Sequence, residues 1–217
     1  DVEHAGYLVY LDGSYQFEKL KPHSRFILAS GNQVTTEMVT EGATTLTSGK
    51  NRAFSVYSPL NTNVFDSVGS LYPVKPLVAM GNGWGLNYGI SRPTTFADAG
   101  AYENLIMPNV GFDYQLTEKL SMIFDWWYLR TMEEGVGTFN GSAFKLSSNL
   151  GNEVDLYLTY ALNDNITFNL FSGYFFPGKH YKEERDDTAG SLFSPFVRGD
   201  GKTNGAYQIE LNMEVKF

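Results

Sequence analysis

Three histidines, His4, His23 and His180, are the only imidazoles in the chain, and it contains no cysteine. Thiolate nucleophiles, disulfides and cysteine-held metals are excluded together. Neither Gly-x-Ser-x-Gly nor His-Glu-x-x-His occurs, the patterns that would seat a serine on a strand-to-helix elbow or two metal ligands on one helix face. No catalytic residue, cofactor or resident metal is therefore expected, and the chain is not expected to be an enzyme. Gly81-Asn82-Gly83-Trp84-Gly85 has the glycines of a phosphate loop, but no Lys-Ser/Thr pair completes it and no strand-to-helix context follows, so a plain loop is the better reading. Glu183, Glu184, Asp186 and Asp187 offer oxygen ligands suited to Ca²⁺, yet a solvated charged loop is the simpler account. Arg198-Gly199-Asp200 sits among glycines and is most simply a turn. A formal net charge of −8 argues against nucleic acid, which needs a basic face.

The remaining ionisable residues recur at alternate positions, so their placement depends on strands. Tyr207, Ile209, Leu211, Met213, Val215 and Phe217 alternate with Gln208, Glu210, Asn212, Glu214 and Lys216, the period of a strand with one apolar and one polar face. Upstream, Val154, Leu156, Leu158, Tyr160 and Leu162 alternate with Glu153, Asp155, Tyr157, Thr159 and Ala161, turn at Asn163-Asp164-Asn165, and restart from Ile166 to Phe176. A second hairpin runs from Ile106 to Leu116, turns at Thr117-Glu118-Lys119 and returns through Tyr128, with Asp113, Gln115, Ser121 and Asp125 inward. A third runs from Tyr7 to Phe17, turns at Glu18 to Lys21 and returns to Ser30. Seven strands are expected, within a single domain over 1–217.

No window approaches the roughly 18 to 20 consecutive apolar residues of a membrane-spanning helix. Strands escape that test, because only every second residue faces lipid. At about 3.3 Å per residue and a tilt near 40°, the terminal run spans roughly the 25 Å apolar band of an outer membrane. Charged residues make up 18% of the chain, aromatics 15%, and glycines number 22, a profile suited to a strand-dense protein. Turns near 19, 117 and 164 are short, while the connections at about 31–103, 132–149 and 177–204 are long. That asymmetry predicts an antiparallel transmembrane β-barrel with short periplasmic turns and long extracellular loops. The 31–103 segment is expected to be a loop folding into the lumen as a constriction, with short strands at Ala53 to Tyr57 and Leu77 to Tyr88 as an option. Seven strands leave an unpaired edge, which lipid penalises, so further strands N-terminal to this chain are expected, the alternative being a strand pair within the long loop and closure by oligomerisation.

The segments Leu150-Gly151-Asn152-Glu153-Val154-Asp155-Leu156 and Gly173-Tyr174-Phe175-Phe176-Pro177-Gly178, the Ala29-Ser30-Gly31 corner and the aromatic-ended last strand resemble the alginate-export (AlgE-like) family of outer-membrane porins. The resemblance implies the C-terminal portion of a larger barrel, localised in the bacterial outer membrane, contacting lipid and lipopolysaccharide and read by the barrel-assembly machinery through Phe217. It also implies passage of a solute through a wide polar lumen, in the relatives an anionic polysaccharide guided by arginines. Here the alternation places Asp12, Asp113, Asp125, Glu153, Asp155, Glu210 and Glu214 inward against Arg25 and Lys216, with His23 a third cation only if it is not a solvated rim residue, the better reading.

Such a wall favours cations or neutral solutes over a polyanion. The expected function is a porin giving passive passage to small hydrophilic solutes or exporting a saccharide. The alternative is a structural or adhesive barrel with a plugged lumen and partner-binding loops. Trp126, Trp127 and Tyr128 are expected in an interfacial aromatic girdle, an inward Trp127 contacting sugars being the lesser reading.

Overall fold

The structure, a computed structural model, describes residues 2–4, 6–30, 49–51, 104–134, 136–139, 142–145, 147–180, 197–198 and 202–216. Its strands in chain order are β1 (Val2–His4), β2 (Leu8–Ser14), β3 (Leu20–Ala29), β4 (Gly49–Asn51), β5 (Leu105–Gln115), β6 (Leu120–Arg130), β7 (Val136–Phe139), β8 (Ser142–Lys145), β9 (Asn149–Asn163), β10 (Ile166–Pro177), β11 (Val197–Arg198), β12 (Lys202–Thr203) and β13 (Ala206–Val215). Seven of them form one antiparallel sheet in the order β13-β10-β9-β6-β5-β3-β2. Each pairs with its nearest neighbours along the chain among the seven, which makes the sheet an up-and-down meander, as the alternating pattern predicts. Within the described residues, the outer sides of β2 and β13 carry no ladder.

The short turns follow from local side-chain chemistry. Thr117 Oγ1 accepts from the backbone N–H groups of Lys119 (3.2 Å) and Leu120 (3.0 Å), closing β5 onto β6. Asn163 Oδ1 accepts from the N–H groups of Asn165 and Ile166, both at 2.9 Å, and closes β9 onto β10. Short polar side chains that cap their own backbone are the usual means of reversing a chain this tightly. Phe17 and Leu20 close the first hairpin with reciprocal backbone bonds of 2.7 Å, and Glu18 takes a positive φ of 44° at its tip. The strand therefore ends at Ser14 and the turn occupies Tyr15–Lys19, so Lys21 lies in β3 rather than in the turn.

The long connections contain more structure than the sequence pattern indicates. β7 and β8 form a small hairpin between β6 and β9, with the turn-favouring pair Asn140-Gly141 between them in sequence. β11 pairs with β12, and β4, in the 31–103 segment, pairs in parallel with β1. Ala53 to Tyr57, Leu77 to Tyr88, the Gly81–Gly85 loop, the acidic residues at 183–187 and Phe217 lie outside the described residues.

Alternation gives the sheet two faces of opposite character. On one face Val110, Trp126, Tyr174, Tyr207, Ile209 and Leu211 are exposed, Leu211 at 71%. Phe112 and Phe124 stack on this face with ring centroids 5.5 Å apart. A contiguous exposed apolar face of this extent is foreign to a soluble monomer. The opposite face carries the buried side chains. A proline interrupts the pattern at one point: the β5–β6 register runs from Ile106↔Arg130 to Asn109↔Trp127 without ladder pairs at Met107 and Pro108, where proline has no N–H to donate.

Candidate functional site: the polar face of the sheet

In-register rows across the strands bring the ionisable residues together. One row reads Ser14, His23, Gly111, Asp125, Asp155, Gly173, Gln208. The next, towards the loop end, reads Asp12, Arg25, Asn109, Trp127, Glu153, Phe175, Ala206. Asp125, at 0% exposure, is the hub. Its Oδ1 lies 2.8 Å from His23 Nε2 and accepts from Asn109 Nδ2 at 2.7 Å and Arg25 NH1 at 3.2 Å. On the far side of the ring, His23 Nδ1 lies 3.2 Å from Asp113 Oδ1, and Asp113 Oδ2 lies 3.4 Å from Lys21 Nζ. Arg25 Nε completes the chain at 3.9 Å from Asp12. Lys21, Asp113, His23, Asp125, Arg25 and Asp12 thus form a line of alternating basic and acidic groups over β2, β3, β5 and β6.

Two sequence expectations are corrected here. His23 is not a solvated rim residue: it is 6% exposed and held between two carboxylates, because β3 already begins at Leu20 and its alternation turns His23 to the same side as Arg25. The basic side chains on this face also include Lys21, which the sequence reading left in the turn. Asp12, Asp113 and Asp125 therefore have basic neighbours, and the other inward carboxylates are Glu153, Asp155, Glu210 and Glu214.

Those four differ in setting. Glu153 and Asp155 are wholly buried on β9, with Asp155 directly opposite Asp125 in the β6–β9 register. Glu210 is half-exposed on β13 and accepts from Asn212 Nδ2 at 2.7 Å. Glu214 is exposed and lies 3.5 Å from Lys216. The face is consequently buried in its centre and accessible along β13, the edge strand of the sheet.

The aromatic expectation splits in two. Trp126 is 42% exposed on the apolar face, as a girdle residue would be, whereas Trp127 is 0% exposed on the polar face, one position on. Alternation alone forces adjacent residues to opposite sides, so Trp127 leaves the girdle. Tyr157 and Phe171 belong to the next row towards the turn end, their ring centroids 5.6 Å apart, with Ile123 against them.

Towards the loop end the same face becomes apolar. Ile27, Ala29, Leu105, Met107 and Leu129 are all fully buried there. Apolar side chains at zero exposure are packed, not bathed, so the water-lined wall expected from alternation is confined to the turn end and the β13 side. His180 is also buried, with Nδ1 2.7 Å from Ser147 O, a structural contact at the start of the segment after β10.

The two segments that carry the family resemblance lie side by side. Pro177 pairs with Gly151, and Gly178 N donates to Leu150 O at 2.8 Å. Gly151 has φ +135°, and a Cβ there would fall 2.2 Å from Phe176 O, so glycine is needed on both counts. A family model described as alginate export matches residues 82–194, just over half of the chain. No curated protein matches it.

Proposed function

The chain belongs to the alginate-export family, a family of outer-membrane β-barrel channels for saccharide export, and we propose that it forms part of the wall of such a channel in the bacterial outer membrane. The observation that carries this reading is the sheet's inverted character, with lipid-compatible side chains such as Leu211, Ile209 and Trp126 outside and ionisable groups on the other face. In lipid every backbone polar group must be satisfied, which a closed antiparallel barrel achieves. The polar face then fronts the lumen, with Asp12, Asp113, Glu210, Glu214 and Lys216 accessible on it and Arg25, Asp125, Glu153 and Asp155 packed beneath. Passage is passive, since no residue pattern supplies an energy source or a reaction. The outer face contacts lipid and lipopolysaccharide.

Reconstitution into planar bilayers tests the reading. Stable ohmic conductance in KCl is expected, and a protein that inserts without conducting overturns it. The second reading, a plugged structural barrel, is favoured by one specific observation, the dry apolar patch of Ile27, Leu105, Met107 and Leu129 at the loop end of the lumen face. The same measurement separates the two.

A further inference from the structure

Among the described residues, four basic side chains on or beside the lumen face, Lys21, His23, Arg25 and Lys216, are each already held by a carboxylate, while Lys119 at the turn end donates to the Leu162 carbonyl. Lys21 lies 3.4 Å from Asp113, His23 lies 3.2 Å from Asp113 and 2.8 Å from Asp125, Arg25 lies 3.2 Å from Asp125, and Lys216 lies 3.5 Å from Glu214. A polyuronate passing this wall would need to displace an internal carboxylate of its own charge to reach any of them, an exchange that yields no net ion pair.

At the turn end, one row of the same face carries no charge from β5 to β13, and Lys19 follows Gln115 only in the turn before β3. Gln115, Ser121, Thr159, Asn169 and Asn212 stand in register across β5, β6, β9, β10 and β13. Thr159 Oγ1 donates to Asn169 Oδ1 at 2.9 Å, which commits that amide's oxygen and leaves its nitrogen to donate. Asn212 Nδ2 donates to Glu210 at 2.7 Å, which leaves its oxygen to accept. A donor at Asn169 and an acceptor at Asn212, neighbours in the β10–β13 register, match a sugar hydroxyl, which is both.

We infer that this wall selects uncharged saccharides over polyuronates and that the Asn169–Asn212 rung contacts their hydroxyls. The inference rests on the channel reading above and names its substrate class.

The test uses the protein purified from outer membranes, in planar bilayers. KCl conductance is recorded first, then its block by maltohexaose and by a mannuronate hexamer at both polarities. Maltohexaose is expected to block at a concentration about tenfold lower, and Asn169→Ala or Asn212→Ala to weaken that block about threefold to tenfold, the scale of one hydrogen bond. Asp113→Asn, which releases Lys21 and leaves His23 with Asp125 alone, is expected to strengthen block by the uronate. Preferential block by the uronate in the unmutated protein overturns the inference and leaves the channel standing. Loss of neither sugar contact in both asparagine variants overturns the assignment of the rung. Absence of KCl conductance overturns the channel reading and the inference with it.

Discussion

His23 and Asp125 sit on strands separated by a third, yet Nε2 and Oδ1 are 2.8 Å apart because the residue between them in the row is Gly111. Neighbouring strands are about 4.8 Å apart, so the two side chains must lean over β5 to meet. A Cβ on Gly111 would fall 2.5 Å from His23 Nε2, 2.7 Å from Asp125 Oδ1 and 2.3 Å from Phe124 O. Gly111→Ala is therefore expected to destabilise the folded barrel by about 1 to 3 kcal/mol, the range for overpacking. Urea unfolding in lipid vesicles measures it, and an unchanged midpoint would contradict the geometry.

Removing the hub is expected to cost more. Asp125→Ala leaves His23 and Arg25 facing a void, and breaking a buried ion pair costs about 3 to 5 kcal/mol. A double-mutant cycle with His23→Gln should return a coupling of about 0.5 to 3 kcal/mol. Additive effects would mean that the 2.8 Å contact carries no energy of its own.

On β13, adjacent residues should respond in opposite ways. Leu211 is exposed on the apolar face and Glu210 points to the other. Leu211→Arg is expected to cost about 2 to 4 kcal/mol if it lies near the midplane, while Glu210→Gln leaves stability nearly unchanged and lowers cation preference. Unfolding midpoints together with reversal potentials across a KCl gradient check both. The reverse pattern would invert the facing.

Gly151→Ala should strain the start of β9. Its φ of +135° is open to glycine and costs other residues about 1 to 3 kcal/mol, and the close approach of Phe176 O adds steric conflict. Loss of the heat-modifiable folded form on gels, or a lowered urea midpoint, is the readout.

The sheet was legible because lipid demands period-2 alternation and tolerates little else. Tyr207 to Val215, or Val154 to Leu162, cannot be read another way, and Asn163 and Thr117 announce their turns. What stayed hidden depends on packing across strands. Nothing near His23 in sequence announces Asp125, 102 positions away, and Gly111 looks like any strand glycine until its row is known. The apolar run Leu105-Ile106-Met107-Pro108 hides its facing for another reason: Leu105 and Met107 pack inward while Ile106 and Pro108 face the apolar outside, so both faces are apolar and alternation loses contrast. Lys21 was misplaced because the turn closes at Phe17 and Leu20, one register step earlier than its composition indicates.

Ala29 and Leu105 are register partners at the far end of the β3–β5 pairing, although the longest connection in the chain lies between them. Closing a connection costs entropy that grows only logarithmically, about 0.6 kcal/mol for each doubling of length. A single residue inserted at Thr117 or Asn163 would instead carry one strand's apolar set to the wrong side. Evolutionary change is thereby channelled to one rim: the hairpin turns must be inherited almost letter by letter, while the opposite connections are free to lengthen, shrink and diversify without disturbing the frame that holds them.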